Sequence, residues 1–146
     1  MFHLAHLNIA KLKAPLDHPM IKEFNDGIEY INHLAEKSPG FVWRHKEEGQ
    51  AYEGFSYRVL GDEMMIFTLS VWEDLESLKK FTYNSDHGKY YKKRREWFHK
   101  LSDNNYVLWY IPKDHRPTIA EGVARLNFLN KKGKTSKAFT FKIAFE

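Results

Sequence analysis

Residues 64–83 read MMIFTLSVWEDLESLKKFTY, and the change of pattern within them decides the fold. Up to residue 72 the side chains alternate between two sets, which predicts a strand with both faces covered. One face carries Met64, Ile66, Thr68, Ser70 and Trp72, and the other carries Met65, Phe67, Leu69 and Val71. A short helix is predicted from residue 74. A strand that runs directly into a helix is therefore the centre of the predicted fold.

Further strands and helices are predicted on both sides of this segment. The order strand, helix, strand, strand, helix, strand is typical of the ferredoxin-like α+β fold, a βαββαβ antiparallel sheet with its helices on one face. The polar segment 47–63 is expected to hold a hairpin arm, and Ser85 is expected to cap the helix that follows it. Strands are predicted over residues 2–11, 41–46, 64–72 and 106–111, and helices over residues 20–37, 74–83, 85–101 and 119–132.

Length and composition predict a single domain over residues 1–146. The chain has no cysteine, which excludes disulfides, thiolate catalysis and cysteine-ligated metal clusters. Its net charge of +4 is a modest excess that does not by itself favour nucleic acid as a partner. No stretch has the apolar length of a membrane span or the pattern of a signal peptide, so a cytoplasmic protein with no membrane partner is expected.

Large aromatic rings on both faces of the predicted sheet indicate a homodimer. An isolated subunit with such a sheet would leave one apolar face in water. A second copy that buries this face is the simplest way to cover it. The rings that carry this argument belong to Trp43, Trp72, Trp109 and Tyr110.

Several segments resemble the domain of unknown function 3291 family, in the same order and over nearly the whole chain. They are HLAHLNIA at 3–10, SPGFVWR at 38–44, SVWE at 70–73, RREWF at 94–98 and HRPT at 115–118. That family is grouped with dimeric α/β-barrel proteins, which include antibiotic-biosynthesis and heme-degrading monooxygenases. The resemblance implies a dimeric α/β barrel and, by analogy, monooxygenase-like chemistry. Residues 113–146 depart from the pattern as a C-terminal extension, a helix and a Phe-rich tail predicted to add a last strand, which could cap or occlude a pocket.

The resemblance also implies roles for three residues. Heme-degrading relatives use an asparagine on the first strand, a tryptophan near the end of the third strand and a helix-borne histidine that ligates iron. Asn8, Trp72 and His87 look like the corresponding catalytic residues. His87 would be the heme ligand if heme binds, and no other metal ligand is expected.

Each of these three residues has a structural interpretation beside the functional one. His87 could be a general base or a metal ligand, or it could bond to a neighbour within the first helical turn. Asn8 could bond to a substrate carbonyl, or it could cap a neighbouring backbone group. Trp72 could stack on a planar substrate, or it could belong to the core. The residues alone do not choose between these roles.

The sequence thus predicts a pocket for a hydrophobic or planar small molecule between the sheet and the helices. A monooxygenase-like enzyme, working without a cofactor or with heme, and a non-catalytic ligand-binding protein both remain open. Nucleic-acid binding through the basic helix is ranked last. Besides the three catalytic candidates, the predicted substrate-binding residues are His6, Trp43, Thr68, Ser70, Tyr91 and Tyr110.

Overall fold

A computed structural model describes residues 2–46 and 64–142 and shows an α+β protein. The predicted hairpin arm at 47–63 lies outside the described residues. The strands are β1 Phe2–Leu12, β2 Phe41–Arg44, β3 Met65–Trp72, β4 Phe98–His99 and β5 Tyr106–Pro112. The helices are α1 Lys22–Lys37, preceded by a 3-10 turn at Pro19–Ile21, then α2 Leu75–Asn84, α3 His87–Lys92, α4 Arg94–Trp97 and α5 Ile119–Lys132. Within the described residues, the predicted elements are confirmed to within a few residues, apart from the helix predicted over residues 85–101 and the last strand predicted in the tail.

The single helix predicted over residues 85–101 is wrong. This segment forms α3 and α4 and then the short strand β4, in which Phe98 pairs with Leu12 of β1. The Trp97 ring is buried in one cluster with Leu12. Strand pairing and burial of this ring therefore override the local preference for helix. Ser85 precedes the cap residue Asp86, and its Oγ accepts a hydrogen bond of 3.2 Å from the His87 N–H.

The sheet is antiparallel and has β1 at its centre. Strand β3 pairs with one side of β1, β5 and β4 pair with the other, and β2 lies beyond β3. His6 is opposite Ser70 on β3 and Leu108 on β5. Asn8 lies two residues further along β1, and opposed residues in a sheet share a face. His6, Asn8 and their partners on β3 and β5 therefore line one face of the sheet.

That face packs against the helices that precede β5. Trp72 of β3 shares a buried cluster with Leu78 of α2 and Ala35 of α1. Nearer the other end of β1, Ile66 is buried together with Trp97 of α4. The two clusters hold α1, α2 and α4 against the sheet. Between the clusters, the middle of this face lines a cavity.

The opposite face of the sheet is covered by α5. Leu126 and Leu129 of this helix are buried in one cluster with Leu7 of β1 and Trp109 of β5. The helices that precede β5 therefore lie on one face of the sheet, and the C-terminal helix α5 lies on the other. The apolar face that the sequence analysis gives to a second subunit is instead covered by the chain's own helix.

Polar contacts, in addition to apolar packing, position α5. Thr118 caps the helix by accepting a hydrogen bond from the Glu121 N–H at 3.1 Å. Glu121 Oε2 accepts a bond from the buried Trp109 indole at 3.0 Å, and its Oε1 lies 2.7 Å from His115 Nε2. Glu121 therefore holds the start of α5 against the centre of β5, and its carboxylate satisfies the Trp109 indole N–H.

Beyond α5 the tail returns along the free edge of β5. The N–H and C=O of Phe139 both bond to the backbone of Leu108 at 2.9 Å. This is an isolated bridge, so in the described part of the tail the predicted last strand is wrong. Phe139 is fully buried and packs on Tyr110 with ring centroids 5.3 Å apart. The tail therefore covers the strand edge and reaches the same side of the sheet as α1 and α2.

Candidate functional site

A cavity of about 660 Å³ lies between the central face of the sheet and the helices. Its volume is in the range of small-molecule sites. Strands β1, β3 and β5 contribute polar and aromatic side chains, and α1 to α4 contribute mostly apolar and aromatic ones. The side chains used below are His6, Asn8, Thr68, Ser70, Trp72, Phe81, His87, Tyr91, Arg94 and Tyr106.

His6 is a neutral imidazole at the cavity wall. Burial lowers the pKa of His6 from 6.5 to about 3, and charge repulsion from His87 adds to this shift. The His6 ring meets the Tyr106 ring edge-on at a centroid distance of 6.0 Å. Because His6 stays uncharged at pH 7, it can donate one hydrogen bond and accept another inside the cavity.

His87 is a second neutral imidazole, and its tautomer is defined by its hydrogen bond. Its Nδ1 lies 2.9 Å from the carbonyl oxygen of Thr82, which can only accept, so Nδ1 carries the proton. Burial lowers the pKa of His87, although the bond to Thr82 acts in the opposite direction. Gly88 allows this geometry, since a Cβ there would lie 2.6 Å from the carbonyl oxygen of Tyr83. His87 Nε2 is therefore an unprotonated nitrogen with a lone pair.

Trp72 and Phe81 form a stacked aromatic wall at one end of the cavity. Their ring centroids are 5.2 Å apart and their planes are inclined by 27°. Phe81 also contacts the His87 ring at 4.9 Å, and Phe41 meets Trp72 edge-on at 5.4 Å. The Trp72 indole N–H donates to Ser70 Oγ at 3.0 Å, so this polar group is satisfied within the protein. Trp72 is thus a core residue that also forms part of the cavity wall.

Asn8 lies between the cavity and the loop before β5. Its Oδ1 accepts a hydrogen bond of 3.2 Å from Asn105 Nδ2. On this assignment the Asn8 NH₂ group can donate to a bound molecule. The backbone register places Asn8 opposite Thr68 and Tyr106. The bond that the structure shows for Asn8 is therefore to a side chain and is not the backbone cap considered from the sequence, and its NH₂ group remains available to a ligand in the cavity.

The structure brings together seven of the nine side chains predicted for the site, namely His6, Asn8, Thr68, Ser70, Trp72, His87 and Tyr91. Trp43 is a correction, because it packs against the α5 cluster on the other face of the sheet. Tyr110 is also a correction, since it packs on Phe139 outside the cavity lining. A β-bulge between Phe41 and Trp43 breaks the alternation of β2, so that Phe41 lines the cavity and Trp43 does not. Such a bulge is difficult to locate from sequence.

Sequence reasoning missed three side chains that shape the cavity. Phe81 follows Leu75 and Leu78 at helical spacing, so the apolar stripe of α2 pointed to it as an inward residue. Arg94 follows His87 and Tyr91 at helical spacing, which is the signal that could have identified it, whereas Tyr106 had no such pattern. Tyr106 comes to the cavity through its pairing opposite Asn8 on β1.

Within residues 2–46 and 64–142, no group of three or more His, Cys, Asp or Glu side chains is arranged to hold a metal ion. No helix in those same residues is long and apolar enough to cross a membrane.

Together the fold and the cavity define a small α+β protein with an aromatic, ligand-sized cavity between its sheet and its helices. The chain belongs to the DUF3291 family, described as a domain of unknown function, whose model matches residues 3–146. Comparison with curated proteins finds no match.

Solved structures resemble the chain in fold. A conserved protein from Methanosarcina mazei Go1 aligns with a TM-score of 0.51 and 16% identity, covering 78% of this chain and 95% of that one. PA3566 from Pseudomonas aeruginosa aligns with a TM-score of 0.48 and 10% identity, covering 76% and 93%. At 16% identity the first similarity shows a shared fold and does not extend to chemistry.

Proposed function

We propose that this protein binds a planar, largely apolar small molecule in the cavity between sheet and helices. The observation that carries this proposal is the lining of the cavity, where the stacked pair Trp72 and Phe81 lies beside the neutral imidazoles of His6 and His87. Aromatic walls favour flat ligands, and a few polar groups among apolar ones orient them. His6, Asn8 and His87 would orient the ligand, while Thr68, Ser70 and Tyr91 would contact it.

We also propose that the fold is ferredoxin-like and related to that of dimeric α/β barrels. The position of β1 between β3 and β5, with β2 beyond β3, supports the ferredoxin-like part. The homodimer stays a prediction. Since α5 buries Leu7 and Trp109 on the second sheet face, a dimer of the full chain would have to form through another surface.

An enzymatic form of the proposal is a monooxygenase-like reaction on the bound molecule. The supporting observation is that His87 is neutral and has an unprotonated Nε2 at the cavity, which could serve as a general base. His6, with a pKa of about 3, is a weak base and would act as a hydrogen-bonding group instead. Without a cofactor, the substrate itself would have to react with oxygen once it has lost a proton. Turnover of a bound substrate separates this enzyme from a non-catalytic binding protein with the same cavity.

Binding of a neutral planar probe tests the cavity directly. N-phenyl-1-naphthylamine, whose fluorescence rises in apolar surroundings, is expected to bind saturably at one molecule per chain. Thr68→Trp should weaken binding by about tenfold or more, because a large ring would enter the cavity, and tenfold corresponds to about 1.4 kcal/mol. Met65→Trp is the matched control, since Met65 lies on the same strand but outside the cavity lining. Absence of saturable binding would contradict the proposal.

Heme is a second candidate ligand because of the His87 tautomer. A histidine that ligates a metal ordinarily donates its other ring N–H to a backbone carbonyl or carboxylate, and His87 Nδ1 does so to Thr82 at 2.9 Å. His87 Nε2 would be the ligand, and the aromatic walls would contact the porphyrin. Bound heme would supply oxygen chemistry, while His6 and Asn8 could donate or accept hydrogen bonds on the cavity side.

Hemin titration separates this candidate from the first one. If heme binds here, a Soret shift should saturate near one heme per chain, and His87→Ala should abolish that shift because the axial ligand is lost. His33→Ala is the control, since His33 is exposed on α1 and does not line the cavity. A His87→Ala protein with an unchanged Soret band would exclude His87 as the ligand.

A further inference from the structure

Positive side chains outnumber negative ones among the described residues at one end of the cavity. Toward α4, the loop before β5 and the tail, the described lining residues include five cationic side chains and one carboxylate, that of Asp103. Four of the cations are exposed, so they form a basic mouth through which a ligand would enter. The cationic residues are Arg94, Arg95, Lys100, Lys134 and Lys142.

Arg94 is the half-buried member of this group. Its Nη1 donates to the Tyr91 carbonyl oxygen at 2.9 Å, and its guanidinium carbon lies 4.1 Å from the centre of the Tyr91 ring. These contacts hold the side chain in place at the cavity wall. Among the described residues no carboxylate pairs with Arg94, and a guanidinium has further N–H donors to offer.

Arg44, which also lines the cavity, shows the opposite situation. Its Nε lies 3.0 Å from Glu36 Oε2, and Lys46 reaches the same carboxylate at 3.0 Å. The positive charge near β2 is therefore compensated within the protein. The charge of Arg94 has no such partner in the described part of the chain, so the two arginines differ in what they can offer to a ligand.

Ring contacts connect Arg94 to the interior of the cavity. Tyr91 meets Tyr83 at 5.5 Å, Tyr83 meets Phe141 at 5.6 Å, and Phe141 meets Tyr106 at 5.4 Å. The last ring in this series, Tyr106, contacts His6. A continuous aromatic surface thus leads from the guanidinium to the neutral imidazole.

We infer that the ligand is an acid: a planar apolar ring system with one anionic group, a carboxylate or sulfonate, that Arg94 binds at the basic mouth. This inference rests on the proposed function and specifies the ligand class of the same cavity. The apolar rings lie against the aromatic walls, and the anion receives charge-assisted hydrogen bonds from Arg94. The exposed lysines and Arg95 raise the local concentration of such anions by attraction at longer range.

Two related fluorescent probes test the inference. N-phenyl-1-naphthylamine is neutral, and 8-anilinonaphthalene-1-sulfonate has the same rings with one sulfonate. Arg94→Gln should weaken sulfonate binding by about tenfold or more, because a charge-assisted bond is lost, and should change binding of the neutral probe by less than about twofold. The affinity of the sulfonate for the wild-type protein should fall as salt is raised.

Arg125→Gln is the matched control for this experiment. Like Arg94, Arg125 is half-buried and donates to a backbone carbonyl at 2.9 Å, but it lies on α5 outside the cavity lining. Equal losses for both probes in Arg94→Gln, or the same sulfonate loss in Arg125→Gln, would overturn the inference and leave the proposed function standing. If neither probe binds the wild-type protein, the proposed function fails and the inference fails with it. Thermal melting confirms that both variants are folded.

Discussion

Replacing Leu129 with aspartate is expected to destabilise the protein by more than about 4 kcal/mol. Leu129 is 1% exposed and lies in the cluster that α5 forms with the second face of the sheet. The change removes a buried apolar side chain and puts an unpaired carboxylate in its place. A loss of this size would lower the melting temperature by about 10 °C or more in a domain of this length.

Asn127→Asp is the matched control, because it introduces the same side chain at an exposed position of α5, two residues away. It is expected to change stability by no more than about 0.5 kcal/mol. Circular dichroism melting and size-exclusion chromatography measure both variants. If α5 detaches in Leu129→Asp, the exposed sheet face should also drive self-association. Equal melting temperatures for Leu129→Asp and the wild type would show that α5 does not cover this face.

Replacing Trp72 with alanine is expected to cost about 3–5 kcal/mol of unfolding free energy. The ring is 1% exposed, stacks on Phe81 at 5.2 Å and meets Phe41 at 5.4 Å. Its loss removes these contacts and extends the cavity into the core. Binding of N-phenyl-1-naphthylamine should weaken as well, since one side of the aromatic wall is gone.

Phe2→Ala serves as the control for losing an aromatic ring. Phe2 lies on β1 but is 61% exposed, so its replacement should stay within about 0.5 kcal/mol of the wild type. Urea unfolding followed by circular dichroism gives both free energies. Trp72→Phe keeps an aromatic ring but loses the hydrogen bond to Ser70. Its free energy of unfolding should therefore lie between those of the wild type and Trp72→Ala. A Trp72→Ala loss as small as that of Phe2→Ala would mean that Trp72 is not a core residue.

Most of the side chains predicted for the site line one cavity because strand periodicity determines which residues share a face. His6 and Asn8 alternate with Leu7 on β1, as Thr68 and Ser70 alternate with Leu69 on β3. The structure places both polar pairs at the cavity and both leucines in the α5 cluster. Trp43 was misplaced because the β-bulge in β2 breaks that periodicity.

The break between α3 and α4 could not be predicted from local pattern. Residues 85–101 have helix-compatible composition, and the helix ends early because Phe98 pairs with Leu12 and Trp97 is buried. The pairing joins segments more than eighty residues apart, and the cluster that buries Trp97 includes Leu12 and Ile66 from other parts of the chain.

By itself, the sequence determined the main strands and helices, the α+β class and most of the polar side chains at the cavity, since these follow from local periodicity. Only the tertiary structure decided that α5 covers the second sheet face, that His6 and His87 line the same cavity, and that Arg94 lies at the basic mouth. The physical reason is that periodicity shows which residues share a surface, whereas long-range packing decides which element covers that surface.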